Sequence, residues 1–410
     1  MESVMQTEEG FDYVKGTPYF YQADQMKTYP KLTEDLTTEV IIVGGGITGA
    51  ITAYYFAKQK IPCVLLEKNK IAQGSTSITT ALLQYELDEN AVELQPFSTE
   101  EQVVHAYKLG VWALQELDEF IQLYGNACEY ERKDTLLYTN QEDQVSELRK
   151  EYELRKKHEL DVTFVTEDAS YPFPMKAGVL SKAGGASMNP VCFTKHLLEV
   201  TEAFGAKIYE ETEVIEVQYE HQGVTVRTKA GNTIQGKKII VATGYHTAQF
   251  TDRVFGEKTI TYNIVTEPNT SPASKLDALL IRDNCDPYHY LRTTQDGRFI
   301  LGGADIPLCE ENYTEEQAEI QYQKLEEQVA QMFRKSEAMH FPYRYCGMFC
   351  ATQDNLGFVG PDPMEPHCWY CLGYGANGIL FAILGAISLV HLYEQGSENE
   401  ILPYFSLNRK

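Results

Sequence analysis

A glycine-rich turn between an apolar run and a helical pattern is the feature that most constrains how this chain folds. Val40–Val43 are continuously apolar, as expected of a strand buried on both faces of a parallel sheet. Gly44, Gly46 and Gly49 follow, apolar residues then recur at helical spacing, and a second apolar run covers Cys63–Leu66. The segment predicts a strand–helix–strand unit, which is the context that a dinucleotide-binding GxGxxG motif requires.

Each glycine of this motif has its own physical role. Gly44 permits the tight turn, Gly46 lets backbone N–H groups approach a pyrophosphate, and Gly49 allows the helix to pack against the strand. The helix N-terminus adds partial positive charge. Glu67 ends the second strand, where its carboxylate can accept hydrogen bonds from an adenosine ribose and disfavours the 2′-phosphate of NADP. The motif by itself leaves FAD and NAD as alternatives.

Length and charge narrow the class of protein further. A chain of 410 residues exceeds what one hydrophobic core usually serves, so two domains are expected. The net charge of −24 disfavours binding to nucleic acid or to anionic membranes. The nine cysteines indicate a reducing compartment rather than a disulfide framework, and the first residues lack the pattern of a secretory signal. We therefore expect a cytoplasmic protein.

Helical and strand-like segments alternate along the rest of the chain. Ser98 and Glu101 predict a capping box before a long amphipathic helix. Gly378–Tyr393 is an apolar run of about 16 residues, shorter than a bilayer span, and predicts a buried helix. Strand-like stretches lie at Thr135–Tyr138, Val214–Val217, Val224–Thr228, Lys238–Ala242 and Arg298–Leu301. The pattern predicts an α/β fold in which the chain crosses between two domains more than once.

Several motifs downstream of the first glycines resemble those of one flavoprotein family. In chain order they are Glu67-Lys68, Gly74-Ser75-Thr76-Ser77, Glu213–Val217, Val241-Ala242-Thr243-Gly244, Tyr345–Gly360 with Gly347, Thr352 and Asp354, and Gly373–Gly378. Over roughly residues 36–395 the chain resembles the D-amino-acid-oxidase-like family, which includes glycine oxidase, sarcosine oxidase and the γ-glutamylputrescine oxidase group.

The resemblance implies a Rossmann-like FAD-binding domain and a mixed-sheet, α+β substrate domain, both discontinuous in sequence. We expect residues 1–98, 165–250 and 340–410 in the FAD-binding domain and residues 99–164 and 251–339 in the substrate domain. FAD is the implied cofactor. The residues expected to bind it are Gly44, Gly46, Ile47, Thr48, Gly49, Glu67, Lys68, Ser75, Thr76, Val214, Thr243, Gly244, Gly347, Asp354, Gly375, Gly378, Ile379 and Leu380.

The same resemblance indicates how the flavin is held. Some members tether it through a histidine or a cysteine at positions that match Ile78 and Gly347, so non-covalent FAD is expected; Cys346 is the adjacent residue. The backbone near Gly378, Ile379 and Leu380 is implied to begin a helix directed at the flavin pyrimidine. The partial positive charge of a helix N-terminus there stabilises the negative charge of reduced flavin.

The substrate end departs from the family pattern. Members that oxidise amines or amino acids transfer a hydride to flavin N5 and form an imine that hydrolyses. Phe349 stands where glycine-oxidase-like members have an arginine, and Leu380 where sarcosine oxidase has a lysine. Tyr288, Tyr290 and Arg292 alternate on one face of a predicted strand. We hypothesise that both tyrosines and Phe349 form an aromatic wall for an amine and that Arg292 meets a distal anion; core aromatics with a surface arginine are the alternative.

The electron acceptor and the exact reaction stay open at this level. Ile300 matches a lysine that helps certain oxidases react with oxygen, and no second GxGxxG offers an NAD site. Oxygen, a quinone or a carrier protein therefore remain as acceptors. The alternative functions are a glycerol-3-phosphate-type dehydrogenase acting on a C–OH bond, and a non-catalytic flavin-binding protein.

Four cysteines near the C-terminus have spacings that metal ligands also show. They are Cys346, Cys350, Cys368 and Cys371. Cys368 and Cys371 lie three apart in a predicted strand and should point to opposite faces. We expect buried thiols and no metal, with a metal centre or redox-active thiols near the flavin as the alternatives.

Overall fold

Three β-sheets organise the part of the chain that the computed structural model describes, which is residues 14–21, 27–167, 171–268, 275–309, 312–333, 339–375 and 377–409. Helices pack on both of the larger sheets. The helices of these ranges are α1 (Ile47–Lys58), α2 (Glu100–Tyr124), α3 (Val145–Lys157), α4 (Pro190–Ala203), α5 (Glu315–Phe333), α6 (Gly378–Gln395) and α7 (Leu402–Phe405).

A six-stranded sheet contains the predicted strand–helix–strand unit. Its strands are β3 (Val40–Val43), β4 (Cys63–Leu66), β9 (Lys207–Tyr209), β13 (Lys238–Val241), β19 (Phe358–Pro361) and β20 (Cys368–Leu372), in the order β19-β20-β13-β3-β4-β9. All neighbours are parallel except β19 and β20. Every residue of β3 and β4 is buried, because α1 and α6 pack on one face of this sheet and a small four-stranded sheet packs on the other. Burial on both faces explains why both strands are continuously apolar.

A large mixed sheet forms the second layer. It comprises β1 (Val14–Gly16), β5 (Leu82–Gln84), β6 (Glu131–Thr139), β7 (Val162–Thr166), β8 (Ala177–Ser187), β14 (Glu257–Val265), β15 (Leu279–Asp283), β16 (His289–Thr293), β17 (Phe299–Pro307) and β18 (Tyr343–Ala351). The order is β1-β18-β14-β17-β16-β15-β6-β8-β5, with β7 on β8. Helix α5 packs on β14 and β17 and closes a separate hydrophobic core on one face, so the opposite face is free to line a site.

A small four-stranded sheet completes the fold. Its strands are β2 (Leu36–Thr37), β10 (Val214–Glu220), β11 (Gly223–Thr228) and β12 (Thr233–Gly236), in the order β10-β11-β12-β2. Apolar residues of β10 and β11 share a core with β3, β4 and β13. This sheet therefore braces the six-stranded sheet from the side opposite α1.

The mixed α/β architecture agrees with the predicted fold class, but sheet membership departs from the predicted domain boundaries. Strands β1 and β5 lie within the segment 1–98 that we assigned to the FAD-binding domain, yet both pair within the large sheet. Strands β8 and β18, from the segments 165–250 and 340–410, belong there as well. The chain crosses between the sheets more often than the five predicted segments allow.

Helix α6 confirms the predicted buried helix. It is long and apolar enough by composition to span a membrane, but it packs inside the molecule against α1, α2 and β20. The predicted capping box of the long helix was wrong by one residue. Thr99 is the N-cap of α2, and Gln102 rather than Glu101 completes the capping box.

Candidate cofactor and substrate site

A cavity of about 1070 Å³ is lined by residues of both the six-stranded and the large sheet. The carboxyl ends of β3, β4 and β20 open onto it, as expected for a ligand site in a parallel sheet. The other end of the cavity is lined by side chains of β14, β15, β16 and β17, on the face of the large sheet opposite α5. The cavity thus joins a nucleotide end to a second chamber.

The glycines at the nucleotide end are required by close backbone approach. Gly44 has φ +113°, and a Cβ there would lie 2.3 Å from the carbonyl oxygen of Ala242. A Cβ on Gly49 would lie 1.9 Å from the carbonyl oxygen of Gly44, so the first turn of α1 passes directly over the preceding strand. A side chain at either position would displace the turn and the N–H groups at the start of α1.

The second wall of the nucleotide end is the turn Ser75–Ser77. The hydroxyl of Thr76 accepts a hydrogen bond of 3.0 Å from the N–H of Ile47. No side chain caps α1 at Gly46, whose backbone stays open to the cavity. This arrangement leaves room for a pyrophosphate above the helix N-terminus.

Glu67 ends β4 and is fixed by backbone donors. Its carboxylate accepts hydrogen bonds from the N–H groups of Gly45 at 2.6 Å and Asn69 at 2.7 Å. Burial raises the pKa of Glu67, whereas these two hydrogen bonds act in the opposite direction. The carboxylate lines the cavity at the position where an adenosine ribose is expected.

Helix α6 begins at the far end of the nucleotide site. A Cβ on Gly373 would lie 2.1 Å from the carbonyl oxygen of Gly378, so the loop and the first turn of α6 are in contact. Asn377 does not cap the helix; its side-chain amide instead donates to the carbonyl oxygen of Glu86 at 2.5 Å. The first N–H groups of α6 are therefore available to a bound group, and Gly378 and Ile379 line the cavity.

These features fit FAD, and most of the expected cofactor residues lie on the cavity. Its lining includes Gly44, Gly46, Ile47, Thr48, Glu67, Lys68, Ser75, Thr76, Val214, Thr243, Gly244, Gly375, Gly378 and Ile379. Gly49 acts beneath the turn instead. Leu380 is fully buried in the core, and Gly347 lies within β18, opposite Thr261 and Val14.

Asp354 is also placed away from the cavity. Its two carboxylate oxygens accept hydrogen bonds from Arg409, at 2.6 Å from Nε and 3.0 Å from Nη2. This bidentate pair ties the C-terminal segment to the loop after β18. The structure therefore gives Asp354 a structural contact rather than a place at the cofactor.

The four C-terminal thiols lie in three different hydrophobic cores. Cys346 belongs to the core under α5, Cys350 and Cys368 to the core beneath the four-stranded sheet, and Cys371 to the core around α6. Cys368 and Cys371 thus point to opposite faces of β20, as predicted. Among the described residues no group of three or more metal-ligating side chains converges.

The second chamber is lined by a row of paired residues that crosses four strands. Arg282 on β15 pairs with Tyr290 on β16, Tyr290 with Gly302 on β17, and Gly302 with Asn263 on β14. A Cβ on Gly302 would lie 2.2 Å from Cε2 of Tyr290, so the tyrosine ring lies across this glycine. Tyr288 lines the same chamber, with its ring centroid 5.9 Å from that of Tyr290.

The structure brings Tyr288, Tyr290 and Phe349 to this chamber but not Arg292. Arg292 does share a face of β16 with Tyr290, yet it lies beyond the end of the cavity. Its guanidinium is buried and donates to the carbonyl oxygens of Thr80 at 2.5 Å and Met188 at 2.9 Å. Arg292 is therefore neither an anion site in this chamber nor a surface arginine. It is a buried residue that joins two loops.

Sequence reasoning missed three charged residues of the chamber. Asp88 follows β5, Arg282 lies on β15, and Asp305 lies on β17; all three line the cavity. The guanidinium of Arg282 is 5.8 Å from the ring centroid of Tyr288. Burial raises the pKa of both tyrosine hydroxyls well above the usual value, so they remain protonated donors. One arginine and two carboxyl groups therefore surround the aromatic pair.

Comparison with known proteins decides the family. The model of the FAD dependent oxidoreductase family, DAO, matches residues 39–392. This chain belongs to that family. FAD is accordingly its cofactor, and the resemblance predicted from the motifs is confirmed.

Two relatives from Bacillus subtilis differ in how much of their own length this chain matches. It is 22% identical to a glycine oxidase of Bacillus subtilis, over 91% of this chain and 97% of that protein. It is 29% identical to the B. subtilis protein named "Putative Rieske 2Fe-2S iron-sulfur protein YhfW", over 54% of this chain. That second match spans only 43% of the relative, so less than half of its length has a counterpart here.

A solved structure supports the fold. The crystal structure of glycine oxidase from Geobacillus kaustophilus has a TM-score of 0.74 and 20% sequence identity, covering 92% of this chain and 99% of that one. The predicted fold class of a Rossmann-like domain with a mixed-sheet second domain is thereby confirmed.

Proposed function

We propose that this chain oxidises a small amine or amino acid to an imine, which then hydrolyses. The observation that carries this proposal is the excess of carboxyl groups in the second chamber. Asp88 and Asp305 line this chamber beside two tyrosine rings, and Arg282 is the one basic residue of its described lining. Acidic and aromatic surfaces together favour a cationic nitrogen. FAD, when bound, accepts the hydride that leaves the substrate carbon.

The residues of the chamber bind and orient such a substrate. The hydroxyls of Tyr288 and Tyr290 donate or accept hydrogen bonds, and the ring of Phe349 supplies an apolar wall that excludes water. Arg282 is the cation available to a substrate carboxylate, with Asp88 as its competitor. The proposal therefore covers amines with and without a carboxylate.

The alternative of a phosphorylated C–OH substrate finds less support. Such a substrate brings two negative charges and needs a cluster of basic residues. Among the described residues that line the second chamber, Arg282 is the basic residue and two carboxyl groups oppose it. A non-catalytic flavin protein would not need a second chamber lined with charged and aromatic side chains.

We further propose a cytoplasmic location, with oxygen, a quinone or a carrier protein as electron acceptor.

Anaerobic reduction of the flavin tests the proposal. The purified protein, with bound FAD verified by absorbance and release on denaturation, is mixed with glycine, sarcosine, D-alanine, L-proline, butylamine, N-methylbutylamine and glycerol 3-phosphate. We expect at least one amine or amino acid to bleach the flavin band and glycerol 3-phosphate to leave it unchanged. Bleaching by glycerol 3-phosphate alone, or by none of these compounds, contradicts the proposal. Re-oxidation by air then separates an oxidase from a dehydrogenase.

A further inference from the structure

Strand β17 contains a β-bulge at the second chamber. Tyr262 of β14 pairs with Gly303, but Ile260 pairs with Ile306, so two residues of β17 oppose the single residue Thr261. The first of the two, Ala304, has φ +54°, in the left-handed region that a non-glycine residue rarely adopts. Such bulges often re-aim a side chain next to a functional site.

The bulge determines which way Asp305 faces. Before it, Phe299 and Leu301 point into the core under α5, and Gly302 points toward the chamber. Regular alternation would turn residue 304 toward the chamber and residue 305 into the core. Instead Ala304 lies in that core and Asp305 lines the chamber. The local backbone strain is therefore used to present a carboxyl group to the cavity.

One oxygen of the Asp305 carboxyl group lacks a hydrogen-bond donor, although the Thr261 side chain hydrogen-bonds the group. Within the described part of the chain, neither the Oδ1 of Asp305 nor the Oδ1 of Asn263 has a hydrogen-bond donor. Burial raises the pKa of Asp305 to about 7, the hydroxyl of Thr261 and the charge of His289 lower it, and the charge of Asp88 raises it. The titratable groups that interact with Asp305 are Asp88, His289, Tyr262, Tyr288 and Tyr290.

We propose that Asp305 is a catalytic residue, the carboxylate that removes a proton from the ammonium group of the amine substrate. This inference rests on the function proposed above. An O–H bond forms on Asp305 as one N–H bond breaks, and the neutral amine keeps the electron pair. Oxidised FAD, when bound, would then accept the hydride from the C–H bond of the substrate, which leaves an iminium ion. Water converts this ion to a carbonyl compound and ammonium, and Asp305 releases its proton to solvent.

The pH profile of flavin reduction tests this role. We take the amine or amino acid of the panel that reduces the wild-type flavin fastest and compare wild type with Asp305→Asn. In wild type, kcat/KM should rise between about pH 6 and 8 as Asp305 ionises. In Asp305→Asn, kcat/KM at pH 7 should be about 100-fold or more below the wild-type value. It should increase as the pH approaches the pKa of the substrate ammonium group, because only the free amine then reacts. Asp305→Glu should restore the wild-type form of the profile.

A binding measurement provides a readout that is independent of turnover. The probes are tert-butylamine and 2-aminoisobutyrate, which have no hydrogen on the carbon that bears nitrogen, and their binding is followed by perturbation of the FAD absorbance. For wild type, the Kd of the probe that binds should decrease between about pH 6 and 8. Asp305→Asn should bind it about tenfold more weakly or worse, with no pH dependence in this range.

The outcomes separate this inference from the proposed function. If no amine reduces wild-type flavin, the proposed function fails, and the inference fails with it. If wild type is reduced but Asp305→Asn keeps the same rate and the same pH profile, only the role of Asp305 is overturned. If Asp305→Asn does not retain FAD, the wild-type probe titration decides, because a Kd that is flat between pH 6 and 8 overturns the role.

Discussion

Two clusters, each of one arginine and two acidic residues, differ in how their carboxylates are satisfied. The Arg155 cluster contains Arg155, Glu86 and Glu151, and the Asp305 cluster contains Arg282, Asp88 and Asp305. Glu86 and Asp88 are only two residues apart, so one short segment contributes a carboxylate to each cluster. Each cluster therefore has one arginine and two acids, but only the Asp305 cluster lines the cavity.

In the Arg155 cluster the arginine joins both acids. Its Nε donates to Glu151 at 2.6 Å and its Nη1 to Glu86 at 2.9 Å, and all three side chains are buried. The hydroxyl of Tyr107 and the N–H of Ala91 donate to Glu151 as well. Burial opposes the charge of Arg155, yet its acidic neighbours raise the pKa of the arginine well above the usual value. Asp305 receives no comparable set of donors. The comparison shows that donor geometry, rather than charge inventory, distinguishes a structural cluster from a reactive one.

Replacement of Arg155 should have the largest effect on stability. Arg155→Met leaves Glu86 and Glu151 buried without their cation, which typically costs about 3–5 kcal/mol. We expect a corresponding fall in the urea midpoint of the FAD-bound protein. Lys157→Met on the same helix is the matched control, because Lys157 forms only an exposed ion pair with Glu100 and should change stability by less than about 0.5 kcal/mol. Equal effects of the two changes would refute a structural role for the Arg155 cluster.

The nucleotide end could be predicted from the sequence because its determinants are local. The strand, the glycine turn, helix α1 and Glu67 all fall within about 30 residues of chain, and each has a separate physical signature. Where two readings were equally local, prediction failed. Ser98 with Glu101 and Thr99 with Gln102 both satisfy the capping-box pattern, but the structure forms the second. The N–H of Ser98 donates to the carbonyl oxygen of Leu94 and is not available to Glu101.

Replacement of Gly302 should disturb the Asp305 cluster through packing alone. A Cβ there would lie 2.2 Å from the ring of Tyr290 and 2.5 Å from the Oδ1 of Asn263. Gly302→Ala should therefore lower stability by about 1–3 kcal/mol and weaken binding of the amine probes. A Gly302→Ala protein as stable as wild type would mean that Tyr290 moves aside at little cost.

Replacement of Asp305 should stabilise the protein, the opposite of the result for Arg155. An aspartate ionises near pH 3.9 in an unfolded chain, but the pKa of Asp305 is about 7 in the folded one. Ionisation between these values therefore lowers stability as the pH rises. At pH 8 we expect Asp305→Asn to be more stable than wild type by about 1–2 kcal/mol, with the difference disappearing near pH 4. Thermal unfolding at several pH values measures this, and a destabilised variant at pH 8 would contradict it.

The second chamber could not be predicted because it depends on contacts between distant strands. The alternation of side chains correctly predicts that Tyr290 and Arg292 share a face of β16. The sequence does not show that the cavity includes Tyr290 but not Arg292. Asp305 reaches the chamber only because of the bulge at Ala304, which shifts the alternation by one residue. The pair Gly302-Gly303 after an apolar strand is the signal that could have suggested a bulge.

Replacement of Asp88 should have the smallest effect and reveal the coupling within the Asp305 cluster. Asp88→Asn removes a negative charge that raises the pKa of Asp305, so this pKa should decrease. The pH at which the amine probe begins to bind tightly should therefore decrease, by less than about one pH unit. Glu93→Gln is the control, because Glu93 interacts with Arg282 but does not line the cavity. An unchanged or increased midpoint in Asp88→Asn would show that the two acids titrate independently, and the Asp305 cluster would then be two separate sites.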